Sequence, residues 1–209
     1  MVVRSPSTRF LVPGTTGWSV RSLDDPEIER QWDRSHFEII EGVLTEMAPA
    51  YYDGGVALSN LEFLILDFVK NTKLRGHFAH EVDFILASKR VVKPDSVFMT
   101  PEDERRQKKA NAKLAKPRMI YGRLLLPPTL CIESVSLGHE AHDRETKRAW
   151  YAEFGVPNYW LLDAHERTLE CLVLKGSSYR VDQAGQFKDV LRPSLFPGLV
   201  IRLADIWLD

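Results

Sequence analysis

Apolar and polar positions along this chain change their period several times, and each change marks an element. Residues 1 to about 23 mix Ser, Pro, Gly and Thr with little periodicity and read as an extended lead-in. Asp24-Asp25-Pro26, followed by Glu27 and Ile28, has the form of a helix start, with proline near the first helical position and acids in the first turn. From Phe37 to Ala48, β-branched and aromatic residues flank Glu41-Gly42, which predicts a β-hairpin. Leu58, Leu61, Phe63, Leu64, Ile65, Phe68 and Val69 recur at helical spacing between Val56 and Lys70, with Gly76 as the stop. Residues 77–88 then alternate as one strand, and 91–100 read as the next. A third apolar strand occupies 129–136, launched by Pro127-Pro128. A helix over about Ala141–Phe154 ends at Gly155, with Pro157 just beyond it. Residues 158–174 give two strands about an Asp-Ala-His-Glu turn, and 195–209 a last strand with a short terminal helix.

The order is hairpin, helix, three strands, helix, strands. Helices on both sides of a mixed sheet bury both of its faces, so the pattern predicts an α/β (α+β) fold around one core. No linker divides the chain, and 24–209 is expected to form a single domain.

Composition narrows the class. The chain has 209 residues, 44% of them hydrophobic, enough for a real core. Its apolar runs are only a few residues long, far short of the ~20 that span a bilayer, and its first ten residues hold no signal-peptide pattern. Cys131 and Cys171 lie in apolar runs without CxxC spacing, which points to reduced thiols in a cytoplasmic protein rather than a disulfide scaffold. His77/His80 and His139/His142 are each spaced i, i+3, but no HExxH accompanies them, and they read as surface or loop histidines. Trp150, Tyr151, Tyr159 and Trp160 have the spacing of core aromatics.

Two acids sit where acids are expensive. Asp95 follows Pro94 among Val, Phe and Met, and Glu133 interrupts Leu130-Cys131-Ile132. A carboxylate in a strand core needs a partner or a cation. Two of them on consecutive strands suit Mg²⁺, which takes one or two carboxylates and keeps water or substrate phosphate in its other positions. Asp143, Lys147 and Tyr151 follow at i, i+4, i+8 along one helix face.

Pro94-Asp95, Glu133 in IESVS, the run DRETK and the block YAEFGVPNYWLLD (151–163) together resemble the Uma-type restriction endonuclease family, of the PD-(D/E)XK nuclease superfamily. Residues 37–49 resemble its N-terminal hairpin and 195–207 its C-terminal closure, so the likeness spans about 24–207. It implies a restriction endonuclease-like core, a mixed central sheet flanked by helices with an N-terminal β-hairpin. It also implies a DNA endonuclease using Mg²⁺ or Mn²⁺, in which Asp95, Glu133 and the main-chain carbonyl of Ser134 hold the metal. Asp95, Glu133 and Lys147 would be catalytic; Glu41, Glu38, Asp143 and Tyr151 are further candidates. The superfamily's lysine lies two residues after the Glu; here that position is Val135, and Lys147 on the next helix takes its place. The competing reading is a catalytically weak or inactive nucleic-acid-binding protein that keeps the fold. A homodimer is the arrangement such nucleases often use to cut both strands.

Charge adds one more feature. The formal net charge is -1. Residues 104–123 nevertheless hold eight bases (Arg105, Arg106, Lys108, Lys109, Lys113, Lys116, Arg118, Arg123) against Glu104, or +7, leaving 20 bases and 28 acids elsewhere. A basic insertion over about 102–126 thus divides the two acid-bearing strands. Arg105, Arg106, Lys108, Lys109, Lys113 and Lys116 are its candidate phosphate contacts, beside the bland alternative of a solvated helix or loop.

Overall fold

The computed structural model describes residues 10–47, 51–113, 123–136 and 141–208. Its largest layer is a six-stranded sheet in the order β10-β9-β8-β7-β6-β3. These strands are β3 (His77–His80), β6 (Ser96–Met99), β7 (Leu130–Ser134), β8 (Asn158–Asp163), β9 (Thr168–Lys175) and β10 (Ser178–Gln186). Neighbours are antiparallel except β7 and β8, which run parallel. A parallel pair needs a crossover, and α4 (Arg148–Phe154), entered through a π-helical turn at His142–Lys147, provides it.

Alternation along the strands divides the core. Ile132, Trp160 and Leu162 meet helix α2 (Tyr52–Lys70) through Ala57, Leu61, Ile65 and Val69. Cys131, Tyr159 and Leu161 face the other way, with Tyr151 of α4. Val190–Leu191 and Ile201–Arg202 (β11 and β12) form a two-stranded closure, and Leu191, Phe196 and Ile201 complete the α2 side. Gly155, at φ +86°, ends α4.

A second, four-stranded sheet carries the hairpin. Its order is β2-β1-β5-β4, from β1 (Phe37–Ile40), β2 (Val43–Glu46), β4 (Phe84–Ala87) and β5 (Arg90–Val92). Helix α1 (Pro26–Trp32), capped by Asp25, packs beside it. Trp18, Leu23, Trp32, Ile39, Leu44 and Val91 form its own small core. The described part of the expected lead-in is therefore built in: Trp18 is wholly buried and Thr16 bridges Val43.

Two single-strand expectations are corrected by this second sheet. Residues 77–88 form β3 in one sheet and β4 in the other, and 91–100 form β5 and β6 in the same way. The breaks hold buried charge. Asp83 accepts hydrogen bonds from Trp32 Nε1 (2.7 Å) and Arg123 Nε (2.9 Å), and the Lys93 ammonium lies 5.0 Å from the Trp32 ring centroid. Pro94 has no N–H to continue a ladder, so the chain changes sheets there.

Helix α2 also ends at Lys70, well before Gly76. Gly76 serves packing instead: a Cβ there would lie 2.2 Å from Phe98 Cζ. No described helix is long and apolar enough to cross a membrane, and both cysteines are free and buried.

The described half of the basic insertion contains α3 (Pro101–Asn111), with a Thr100–Asp103 capping box. Glu102 and Asp103 stand in its first turn and pair with Arg105 and Arg106. Gln107 reaches back to the Leu125 N–H (3.0 Å) and Leu126 carbonyl (2.6 Å). Lys108, Lys109 and Lys113 are exposed. Arg123 is buried against Asp83, and Lys116 and Arg118 lie outside the described residues.

Candidate active site

The sheet switch at Pro94 places Asp95 at the start of β6, across from the end of β7. There the Ser134 N–H donates to Asp95 Oδ2 at 2.6 Å. Glu133, 1% exposed, points to the α4 side, as strand alternation requires. Its Oε2 accepts from Lys147 Nζ at 3.0 Å and its Oε1 from the Tyr151 hydroxyl at 2.7 Å. A third acid arrives from the hairpin: Glu38 Oε1 accepts the Lys93 N–H at 2.8 Å and lies 3.4 Å from Lys147 Nζ. Asp143 Oδ1 is 3.6 Å from the same ammonium.

The π-helical turn brings Asp143 and Lys147 together. At i and i+4 the two side chains lie on the same side of the turn, with Asp143 Oδ1 3.6 Å from Lys147 Nζ; such bulges often mark functional sites. Tyr159 supports the turn by donating its hydroxyl to the Asp143 carbonyl at 2.9 Å.

One ammonium thus serves several buried carboxylates, and the electrostatics follow. Burial alone would push Lys147 down, but Glu133, Glu38, Asp143 and Asp95 hold it well above its ordinary value as a permanent cation. Burial also drives Glu133 well above the carboxylate range, against the pull of Lys147. Asp95 is pushed up to about 6, chiefly by burial. Glu38 alone falls below its usual value, because Lys147, His142 and the Lys93 N–H outweigh its burial. The pocket thus sets Glu38, Asp95, Glu133 and Asp143 against one lysine, and burial disfavours the charged form of Asp95, Glu133 and Asp143.

Two connected spaces open onto this cluster. A pocket of about 200 Å³ is lined by Glu38, Asp95, Glu133, His142, Asp143 and Lys147. It meets a cleft of about 1010 Å³ at Asp95 and Ser134. Gly54 lets α2 approach this junction, since a Cβ there would sit 2.8 Å from Ser134 Oγ.

The donor set suits a divalent ion. Among the described residues no group of three His, Cys, Asp or Glu side chains is arranged to hold a metal. Mg²⁺ needs only one or two carboxylates, with water and phosphate for the rest. Asp95 and Glu133, both lining the inner pocket, could supply those carboxylates.

The structure therefore gathers Asp95, Glu133, Ser134, Lys147, Glu38, Asp143 and Tyr151 at one place. It does not bring Glu41 there: that residue sits at the hairpin tip with φ +50° and pairs with Arg90 on the surface. Nor does it bring the basic helix, because α3 starts at the end of β6 remote from Asp95, about 13 Å of strand away. His142, read from sequence as a surface or loop residue, lines the inner pocket, its Nε2 buried 3.6 Å from Glu38 Oε2. On the cleft wall, sequence reading passes over Glu62 and takes His80 for a surface or loop histidine. Glu62 carries a signal: it stands four residues after Leu58 and three before Ile65, on the stripe that α2 buries.

No curated protein matches the chain. Among solved structures it is similar to a putative nuclease belonging to DUF820 from Anabaena variabilis, with TM-score 0.64, 16% identity, and 91% of this chain and 97% of that one covered. That likeness shows a shared fold. Residues 26–204, nearly the whole described chain, match the family described as Putative restriction endonuclease, and the protein belongs to this Uma2 family.

Proposed function

We propose that this protein is an Mg²⁺- or Mn²⁺-dependent endonuclease that hydrolyses DNA phosphodiester bonds. The observation that carries the reading is the convergence of Asp95, Glu133 and the Lys147 ammonium on one pocket. A metal there supplies Lewis-acid polarisation of the scissile phosphate and a lowered pKa for a water. Asp95, fixed by the Ser134 N–H, and Glu133, fixed by Tyr151 and Lys147, would hold the ion. The Ser134 carbonyl at the same strand end is a further candidate ligand.

Lys147 acts as a cation. Held among carboxylates, it keeps its proton and offsets the charge that develops on the phosphate oxygens. The inner pocket has space for about six waters at ~30 Å³ each, or for a phosphate group with part of its hydration. Arg105, Arg106, Lys108, Lys109, Lys113 and Lys116 would meet the substrate only as flanking phosphate contacts, away from the reacting bond.

The test is cleavage of plasmid and linear DNA, with RNA in parallel, in Mg²⁺, Mn²⁺ and EDTA. Cutting that needs the metal and is abolished in Asp95→Ala and Glu133→Ala supports the reading. EDTA-resistant cutting overturns it. DNA retained in a gel shift without cutting identifies the binding-protein alternative.

A further inference from the structure

In the inner pocket the carboxylates face the same ammonium: Glu38 also accepts the Lys93 N–H, Glu133 the Tyr151 hydroxyl, and Asp143 lies 3.6 Å from Lys147 Nζ. Lys147 has no lone pair while its carboxylates hold it charged. Both oxygens of Glu133 are engaged, and Asp95 is a proposed metal ligand. A different arrangement stands just outside, on the wall of the large cleft that Asp95 and Ser134 share.

His80, with about half of its side chain exposed, sets Nε2 2.9 Å from each oxygen of Glu62. Glu62, on the buried stripe of α2, is fixed in turn by the Ser96 hydroxyl, which donates to Oε1. An ionised carboxylate only accepts hydrogen bonds, so Nε2 carries the hydrogen. In the neutral ring Nδ1 then has the free lone pair. A base oriented by a carboxylate that is itself oriented is the arrangement that positions imidazoles for proton transfer. The backbone sets its place: His80 lies opposite Ser96 in the β3–β6 register, and the Glu81 N–H donates to the Pro94 carbonyl at 3.1 Å. His80 and Asp95 therefore stand on adjacent strands, one residue out of register, facing one cleft.

The other groups on that wall are held differently: Glu46 and Asp53 are carboxylates without an imidazole partner, His36 is paired with Glu81 at 3.3 Å, and His165 lies 3.7 Å from its exposed neighbour Glu166. No lysine or arginine lines it among the described residues. His142, in the inner pocket, has its Nε2 3.6 Å from Glu38, beyond hydrogen-bond reach, and its ring edge against Trp150.

We infer that His80 is the general base of this site, positioned by Glu62 and Ser96. The inference rests on the nuclease reading. Nδ1 takes a proton from water as the water oxygen bonds to phosphorus. The phosphorus–oxygen ester bond breaks, the leaving oxygen takes a proton from solvent, and the imidazolium returns its own to solvent. The products are a phosphomonoester and an alcohol.

The experiment uses the full chain, a labelled duplex and saturating Mn²⁺. His80→Ala is expected to lower kcat by about 10²–10⁴-fold with KM nearly unchanged. Added imidazole should restore part of that loss, because the site is open to solvent. Glu62→Gln should cost about 10–100-fold and gain nothing from imidazole, and Asp95→Ala should stay inactive with it. In the metal-free protein, ¹⁵N shifts of His80 should report the Nε2–H tautomer, with that preference lost in Glu62→Gln. A His80→Ala protein cutting at the parent rate overturns the base while leaving the nuclease reading intact, as does imidazole rescue of His142→Ala in place of His80→Ala. If the parent protein cuts with no divalent ion, the metal-dependent reading of the site fails and this role falls with it.

Discussion

Lys147 Nζ stands 3.0 Å from Glu133 Oε2, and both side chains are almost wholly buried. This pair joins the π-helical turn to the central strand, and the same ammonium lies 3.4 Å from Glu38 and 3.6 Å from Asp143. Removing one partner of a buried ion pair costs about 3–5 kcal/mol, because the other charge stays behind unpaired. Lys147→Met should destabilise the protein by that order at pH 7.5 in urea unfolding. The loss should shrink towards pH 4, as protonation of Glu38 and Asp143 removes the stranded charge. A uniform loss across that range would show that packing, not charge, sets the effect.

Asp95 has the opposite linkage. Its folded pKa is raised to about 6, above the value near 3.8 of the unfolded chain. The folded state therefore binds the proton more tightly, and stability falls as pH climbs from about 4 to 6. Asp95→Asn should stabilise the metal-free protein by about 1–3 kcal/mol above pH 6 and by little below pH 4, measured by thermal melting. Mn²⁺ should raise the melting temperature of the parent protein at pH 7.5 and leave Asp95→Asn nearly unmoved. An equal shift in both proteins would place the metal elsewhere.

Tyr151 offers a milder perturbation. Its hydroxyl is one of two donors to Glu133, and a buried acceptor left without its partner costs about 1–3 kcal/mol. Tyr151→Phe should lose stability on that scale and bind Mn²⁺ less tightly, since Glu133 is then steered by Lys147 alone. Titration calorimetry reads the affinity; unchanged binding would make the hydroxyl purely structural.

The lysines of α3 predict a separation of effects. Lys108 and Lys109 are exposed and remote from Asp95. Replacing both with Gln should reduce the salt slope of DNA binding by about 0.9 for each phosphate no longer neutralised. Cleavage of a short oligonucleotide at saturating concentration should be unaffected. An unchanged slope would assign α3 to solvation alone.

Much of the site is legible in the sequence because its members break local rules. Asp95 after Pro94 and Glu133 inside an apolar strand are carboxylates where burial is costly, and Lys147 sits four residues from Asp143. Glu133 meets Tyr151 because a strand face, set by alternation, packs against a helix face. Glu41, a candidate through the resemblance alone, stands at the hairpin tip and pairs with Arg90 away from the other acids.

By itself the sequence determined the hairpin, α2 and the β7–α4–β8 unit, because hydrophobic period and capping are local properties. Only the tertiary structure decided that Pro94 switches sheets, that Trp18 closes a second core, and that α3 leads away from the carboxylates. Nor could a linear reading join Glu62, His80 and Ser96, which lie up to 34 residues apart and meet through strand register and helix packing. Period reports which face a residue takes. Which element that face meets depends on the way the whole chain buries its apolar surface.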